Sequence, residues 1–235
     1  MIASEFEFRH RFWFIAGIFN FAFLAYFVDH RNLGGKIVEW LHGGAVDFDQ
    51  PAGRRELQLV FLAGAALVIV AALLRTWATA YLTSDVVHDS KLRQDEVVAD
   101  GPFRFVRNPL YLGLYLMALG MTVFASRLGA AWLVIAAAIF GRRLIGLEER
   151  QLLAVGGESY RAYLARVPRI LPALWPRLPA SGRPPRWRQA ILGELFIWAF
   201  ALASLALAIF LDGRAFGLTC FAGMAIYLLG QKFAR

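Results

Sequence analysis

Long apolar runs separated by shorter polar stretches set the pattern of this chain. Six runs stand out: Phe12–Val28, Leu57–Leu82, Pro109–Ala125, Leu128–Leu147, Ile191–Leu211 and Phe216–Phe233. A helix that crosses the hydrocarbon core of a bilayer needs about 20 predominantly apolar residues. Pro109–Ala125 is barely long enough, and only Ser126-Arg127 separates it from Leu128–Leu147. Residues 109–147 therefore predict a helical hairpin, either spanning or shallow. The expected fold is an all-α, polytopic integral membrane bundle of about six hydrophobic helices. The polar stretch 29–56, with Gly34-Gly35, Gly43-Gly44 and Gln50-Pro51, reads as a loop. Residues 148–188 predict a helix to about Arg166, then a proline-rich irregular strap ending in Arg186-Trp187-Arg188, an interfacial anchor. The pattern divides the chain into 1–56 (a helix and a polar loop), 57–176 (a core with the hairpin) and 177–235 (a helical pair).

Composition agrees with a membrane protein. Of 235 residues 59% are hydrophobic, and the mean hydropathy is +0.53, too apolar for an ordinary soluble domain. The net charge is +8, and its distribution is the informative part. With both termini cytoplasmic, 19 cations fall on the inner side and 6 on the outer, so the positive-inside rule predicts that orientation. The first apolar run lacks a small-residue cleavage pattern and reads as a retained span rather than a signal peptide. Cys220 is the one cysteine, and the histidines at 10, 30, 42 and 88 lack ligand spacing, so no metal site is expected. Nothing points to nucleic acid; the expected partners are membrane lipids and a lipophilic substrate.

Two polar clusters flank the hairpin and fall on the same face of the membrane. The first is Asp100–Gly113, DGPFRFVRNPLYLG. Gly101-Pro102 marks a turn. Asn108-Pro109 reads as a helix start, with Asn as cap and Pro at the first helical position. Arg104 and Arg107 beside a helix N-terminus suit an anionic group. The second cluster is Glu148-Glu149-Arg150-Gln151-Leu152. Adjacent helical residues point about 100° apart, so Glu148 and Glu149 cannot share a role. Arg142 and Glu149, seven apart, lie on one face and are expected to pair.

The ordered set of motifs resembles the isoprenylcysteine carboxyl methyltransferase family and its phospholipid methyltransferase relatives. The matching stretches are Val97-Val98-Ala99-Asp100-Gly101-Pro102-Phe103 and Arg107-Asn108-Pro109-Leu110-Tyr111-Leu112-Gly113. They continue with Glu148-Glu149-Arg150-Gln151-Leu152, Gly157-Glu158-Ser159-Tyr160-Arg161-Ala162-Tyr163 and Val167-Pro168-Arg169-Ile170-Leu171-Pro172. The resemblance covers roughly 57–176. It implies a membrane-embedded methyltransferase with a cytoplasmic S-adenosylmethionine pocket. It implies that Val97, Val98, Gly101, Phe103, Arg107, Asn108, Pro109, Leu110 and Tyr111 line that pocket. It further implies catalytic or acceptor-positioning roles for Glu149, Glu148, Arg143 and Arg107. An isoprenylcysteine-like carboxylate leads as acceptor, with a phospholipid amine or a small thiol as alternatives. Two departures bear on this: the family His before Pro is Asn108, and another family His position holds Asp95.

Other readings remain at this level. An NADPH-dependent reductase of the sterol type shares the general architecture, but an acid is expected after the hairpin glycine, and Leu114 follows Gly113. A non-catalytic or transport protein is expected to carry intramembrane charges or broken helices, and the apolar runs hold almost no charge away from their ends. Tyr160 and Tyr163 share a helical face and read as packing residues. Arg169 reads as a contact to lipid phosphate.

Overall fold

The computed structural model describes residues 2–82, 99–214, 216–219 and 222. Among these the chain is all-helical, with no strand and a single isolated antiparallel bridge, Asn32 to Ser126. The helices are α1 Glu5–Arg9, α2 Arg11–Leu24, α3 Leu33–Leu41, α4 Pro51–Tyr81, α5 Pro109–Met121, α6 Arg127–Arg166, α7 Trp187–Gly193 and α8 Leu195–Phe210. By length and composition, α4 and α6 can each cross a membrane; α7 and α8, bent by 63° at Glu194, can together form a third crossing. The apolar parts of α2 and α5 each end in a 3-10 turn and stay shorter. Two or three candidate spans are therefore present among the described residues, against the six expected. The last apolar run lies almost wholly outside them.

The fold divides into two compact units. One comprises His10–Ala72, Tyr115–Ile139 and Leu195–Arg235. Glycine allows a close helix approach there. A Cβ on Gly64 of α4 would lie 2.6 Å from the Gly120 carbonyl oxygen of α5, and one on Gly120 would lie 2.6 Å from that of Gly64. Small residues that let backbones touch are the usual basis of helix packing in lipid. The stretch 29–56, expected as a loop, contains α3. Its start is fixed by Asn32, whose Oδ1 accepts from Gly35 N–H at 3.0 Å, and by Leu33 N–H donating to the Ala125 carbonyl. At the hairpin turn the Asp29 carboxylate accepts from Arg127 Nη2 at 3.0 Å and from Leu128 N–H at 3.2 Å. The Arg127 hydrogen bond is the main reason its carboxyl is held down at about 2.

The other unit comprises Met1–Arg9, Leu73–Leu114 and Phe140–Glu194. It holds the C-terminal end of α4, the start of α5, the polar half of α6 and the strap that follows. Helix α6 runs to Arg166 as the sequence suggests, and breaks at Gly157, where φ is +49° and ψ −128°. Only glycine adopts such a conformation at little cost. Beyond the break Tyr160, Tyr163 and Val167 form a small buried cluster with Ala99, Leu152 and Leu178 around it, so the two tyrosines do pack.

Candidate functional site

The segment 99–111 is held on three sides. Gly101 begins a 3-10 turn, Gly101–Arg104, with φ +56°. Its missing side chain makes room for the Tyr81 ring, which a Cβ would approach to 2.4 Å. Asp100, almost fully buried, accepts hydrogen bonds from Ser181 N–H at 2.8 Å, from the Ser181 hydroxyl and from Arg183 N–H at 3.2 Å. Burial pushes its carboxyl up, but these donors and nearby Arg104 outweigh it and hold the group below the usual range. The strap then follows the segment closely. Arg107 N–H donates to the Pro168 carbonyl at 2.8 Å, Ala173 N–H to Phe105 at 2.9 Å and Arg177 N–H to Arg104 at 2.8 Å. Arg104 Nε donates to the Leu178 carbonyl, and the Tyr163 hydroxyl to the Phe103 carbonyl.

Glu149 is the meeting point. Its Oε1 accepts from Asn108 Nδ2 at 3.0 Å and lies 3.4 Å from Arg107 Nη1; its Oε2 lies 2.8 Å from Arg169 Nη2. Asn108 Nδ2 also donates to the Arg169 carbonyl at 3.1 Å. The Asn108 side-chain amide thus faces Glu149 and the strap, while the Asn108 backbone carbonyl accepts from Leu112 N–H in the first turn of α5. The Glu149 side chain is 14% exposed, and two guanidinium groups bracket it. The Nε atoms of Arg107 and Arg169 are buried and find no hydrogen-bond partner among the described residues. Burial pushes the Tyr160 phenol up, and the Glu149 and Glu148 carboxylates push it further.

The residues singled out in the sequence separate as follows. Arg107 and Asn108 meet Glu149. Gly101, Phe103, Pro109, Leu110 and Tyr111 sit on the same continuous segment, with Pro109 buried. Val97, Val98 and Asp95 lie outside the described residues. The expected Arg142–Glu149 pair gives way to another arrangement: the cations on Glu149 are Arg107 and Arg169, and Arg142 is exposed. Arg143 instead pairs with Glu7 at 2.8 Å. Glu7 is fixed by α1, where Ser4 N–H donates to its carboxylate and Glu7 N–H to the Ser4 hydroxyl, a capping box.

Two features escaped the sequence reading. Arg169 lies on Glu149 rather than free for lipid phosphate; its Val-Pro-Arg setting was visible, but its partner is twenty positions away. The second is Glu194, inside an apolar run. Its carboxylate takes Arg75 Nε at 2.8 Å, Arg75 Nη2 at 3.1 Å and the Thr79 hydroxyl at 2.9 Å. Arg75 Nη1 donates in turn to the Leu110 carbonyl at 3.2 Å, in the first turn of α5. An Arg in one apolar run and a Glu in another were the available signal.

The described residues contain no cluster of His, Cys, Asp or Glu able to hold a metal ion. No curated protein and no solved structure matches the chain. A family model does match, over 59–155, within the core expected at 57–176. That stretch contains Arg107, Asn108 and Glu149, while Arg169 and Glu194 fall beyond it. The family suggests a membrane methyltransferase. Residues 59–155 are similar to the family model described as Phospholipid methyltransferase.

Proposed function

We propose that this chain is a multi-pass membrane methyltransferase that uses S-adenosylmethionine and methylates a lipophilic acceptor through an anionic group, an isoprenylcysteine-like carboxylate being the best fit. Residues 57–176 form its core, and its termini and site face the cytoplasm, a reading the cation distribution supports. The observation that carries the reading is Glu149 bracketed by Arg107, Asn108 and Arg169, with the buried Nε atoms of both arginines left over.

The residues suit the cofactor in two respects. The start of α5, with Arg107 beside it, suits a carboxylate, and Phe103 and Tyr111 are the aromatic groups on the segment. S-adenosylmethionine supplies a methyl group on a sulfonium sulfur. Bound there, it would supply that methyl group to an acceptor carboxylate oxygen, the C–S electron pair being left on sulfur and no proton having to move. The protein's task is then alignment and exclusion of water. A carboxylate acceptor needs a cation; with Arg107 beside the cofactor's carboxylate, Arg169 is the cation of the cluster for the acceptor. Glu149, both oxygens engaged, acts as a holder of these guanidinium groups rather than as a base. Glu148 and Arg143 take supporting places, Arg143 through Glu7.

A phospholipid amine is the second reading, favoured by the description of the matching family. An amine must lose a proton before it attacks, and a base would then be required. The test is methyl transfer from labelled S-adenosylmethionine by purified protein in lipid, with prenylated cysteine carboxylates and phosphatidylethanolamine as competing acceptors. Base-labile methyl ester is the expected product. N-methylated lipid, with the carboxylate left untouched, would select the amine reading.

A further inference from the structure

The strap that contributes Arg169 also carries the most exposed large apolar side chains of its unit. Between its ties to the 103–108 segment, Leu171 is 79% exposed, Leu174 90% and Trp175 78%. These side chains stand on a backbone held at Arg107–Pro168, Phe105–Ala173 and Arg104–Arg177, so their exposure comes with fixed placement. Along the chain on either side of them the charge has one sign, and the carboxylates that meet the strap from elsewhere, Asp100 and Glu149, are already engaged. From Ser159 to Gly193 the chain holds seven arginines and no acidic residue. Arg166, Arg177, Arg186 and Arg188 are exposed, and Trp187 between the last two is 48% exposed. Exposed apolar and aromatic side chains set among exposed cations match the interface of an anionic leaflet.

We infer that residues 170–178 form a lipid-docking surface: Leu171, Leu174 and Trp175 enter the headgroup–acyl boundary, and the arginines around them engage anionic lipid phosphates. Leu171 is two residues from Arg169, whose guanidinium is on Glu149. The docked strap therefore brings lipid beside the candidate site and serves as the entry for a lipophilic acceptor. The entry role rests on the proposed function; the docking itself does not.

A nitroxide at position 174, introduced by Leu174→Cys in a Cys220→Ser background, reads this directly in nanodiscs. The comparison position is exposed Ser159→Cys, and labelled proteins are used only if they melt as the parent does. With anionic phosphatidylglycerol present, the label at 174 is expected to be more accessible to oxygen than to a water-soluble nickel complex, and the label at 159 the reverse. Neutral phosphatidylcholine alone is expected to shift 174 toward water. Equal water access at 174 and 159 would overturn the docking surface, and so would a depth at 174 indifferent to anionic lipid. A second arm addresses entry. Leu174→Asp is expected to raise KM for a lipophilic acceptor about tenfold, with kcat and S-adenosylhomocysteine affinity unchanged. An unchanged KM in an active protein would overturn the entry role alone, and absence of any methyl transfer by the parent would overturn it together with the proposed function.

Discussion

At the scale of single residues, the Glu149 cluster joins three segments that are far apart in sequence. Asn108 occupies the place of a family His and still reaches Glu149, because its amide is a hydrogen-bond donor of similar reach. Glu149→Gln keeps shape but removes the charge that holds Arg107 and Arg169. With a carboxylate acceptor, partial loss of activity is expected, without a displaced pH profile; with an amine acceptor, near-complete loss and an altered profile. Assays across pH separate the two, and full activity in both Glu149→Gln and Glu148→Gln would reduce the pair to a charged helix end. Glu194 makes a different prediction. Removing one partner of a buried pair leaves the other uncompensated, at a cost of about 3–5 kcal/mol. Arg75→Met is therefore expected to lower the melting temperature in detergent strongly, and Arg75→Met/Glu194→Leu to recover part of the loss. Asp29 gives a pH dependence. Its folded-state pKa is about 2 against an ordinary 3.8. Its contribution is thus fully present above pH 3.8 and is lost as pH falls toward 2. Acid melts of Asp29→Asn should lack that part of the decline shown by the parent.

At the scale of elements, the start of α5, the extent of α6 and the strap were legible in the sequence. Asn108-Pro109 marks a helix start by local chemistry alone, and the prolines after Val167 forbid further helix. α3 was not legible, because its stability comes from contacts at long range: Leu33 N–H on the Ala125 carbonyl, and Gly34 so close that a Cβ would meet Val123 oxygen at 2.8 Å. Nor was the bend at Glu194, since one carboxylate in an apolar run says nothing of the arginine it will find. The same holds for Arg169, whose role depends on how the strap closes. Gly64 tests the packing of α4 against α5 within their unit. Gly64→Val puts a Cβ 2.6 Å from backbone oxygen, which cannot move as a side-chain tip can. Overpacking of this kind costs about 1–3 kcal/mol, and a melt lowered by several degrees is the expected result; an unchanged melt would contradict the close approach.

At the scale of the whole molecule, composition and the hydrophobic pattern identify a membrane protein, and the residues that match the family model carry one side of the Glu149 cluster. The strap and Glu194 lie outside that match. The proposed function requires the segment around Arg107 and Asn108 to bind S-adenosylmethionine. Calorimetry with S-adenosylhomocysteine on folded, purified protein tests it most directly. Saturable one-site binding is expected, weakened about 10- to 100-fold by Arg107→Ala, as the loss of a charge-assisted hydrogen bond worth about 1.5–3 kcal/mol implies. No binding to the parent protein, or binding indifferent to Arg107→Ala in a protein that melts normally, would contradict the account.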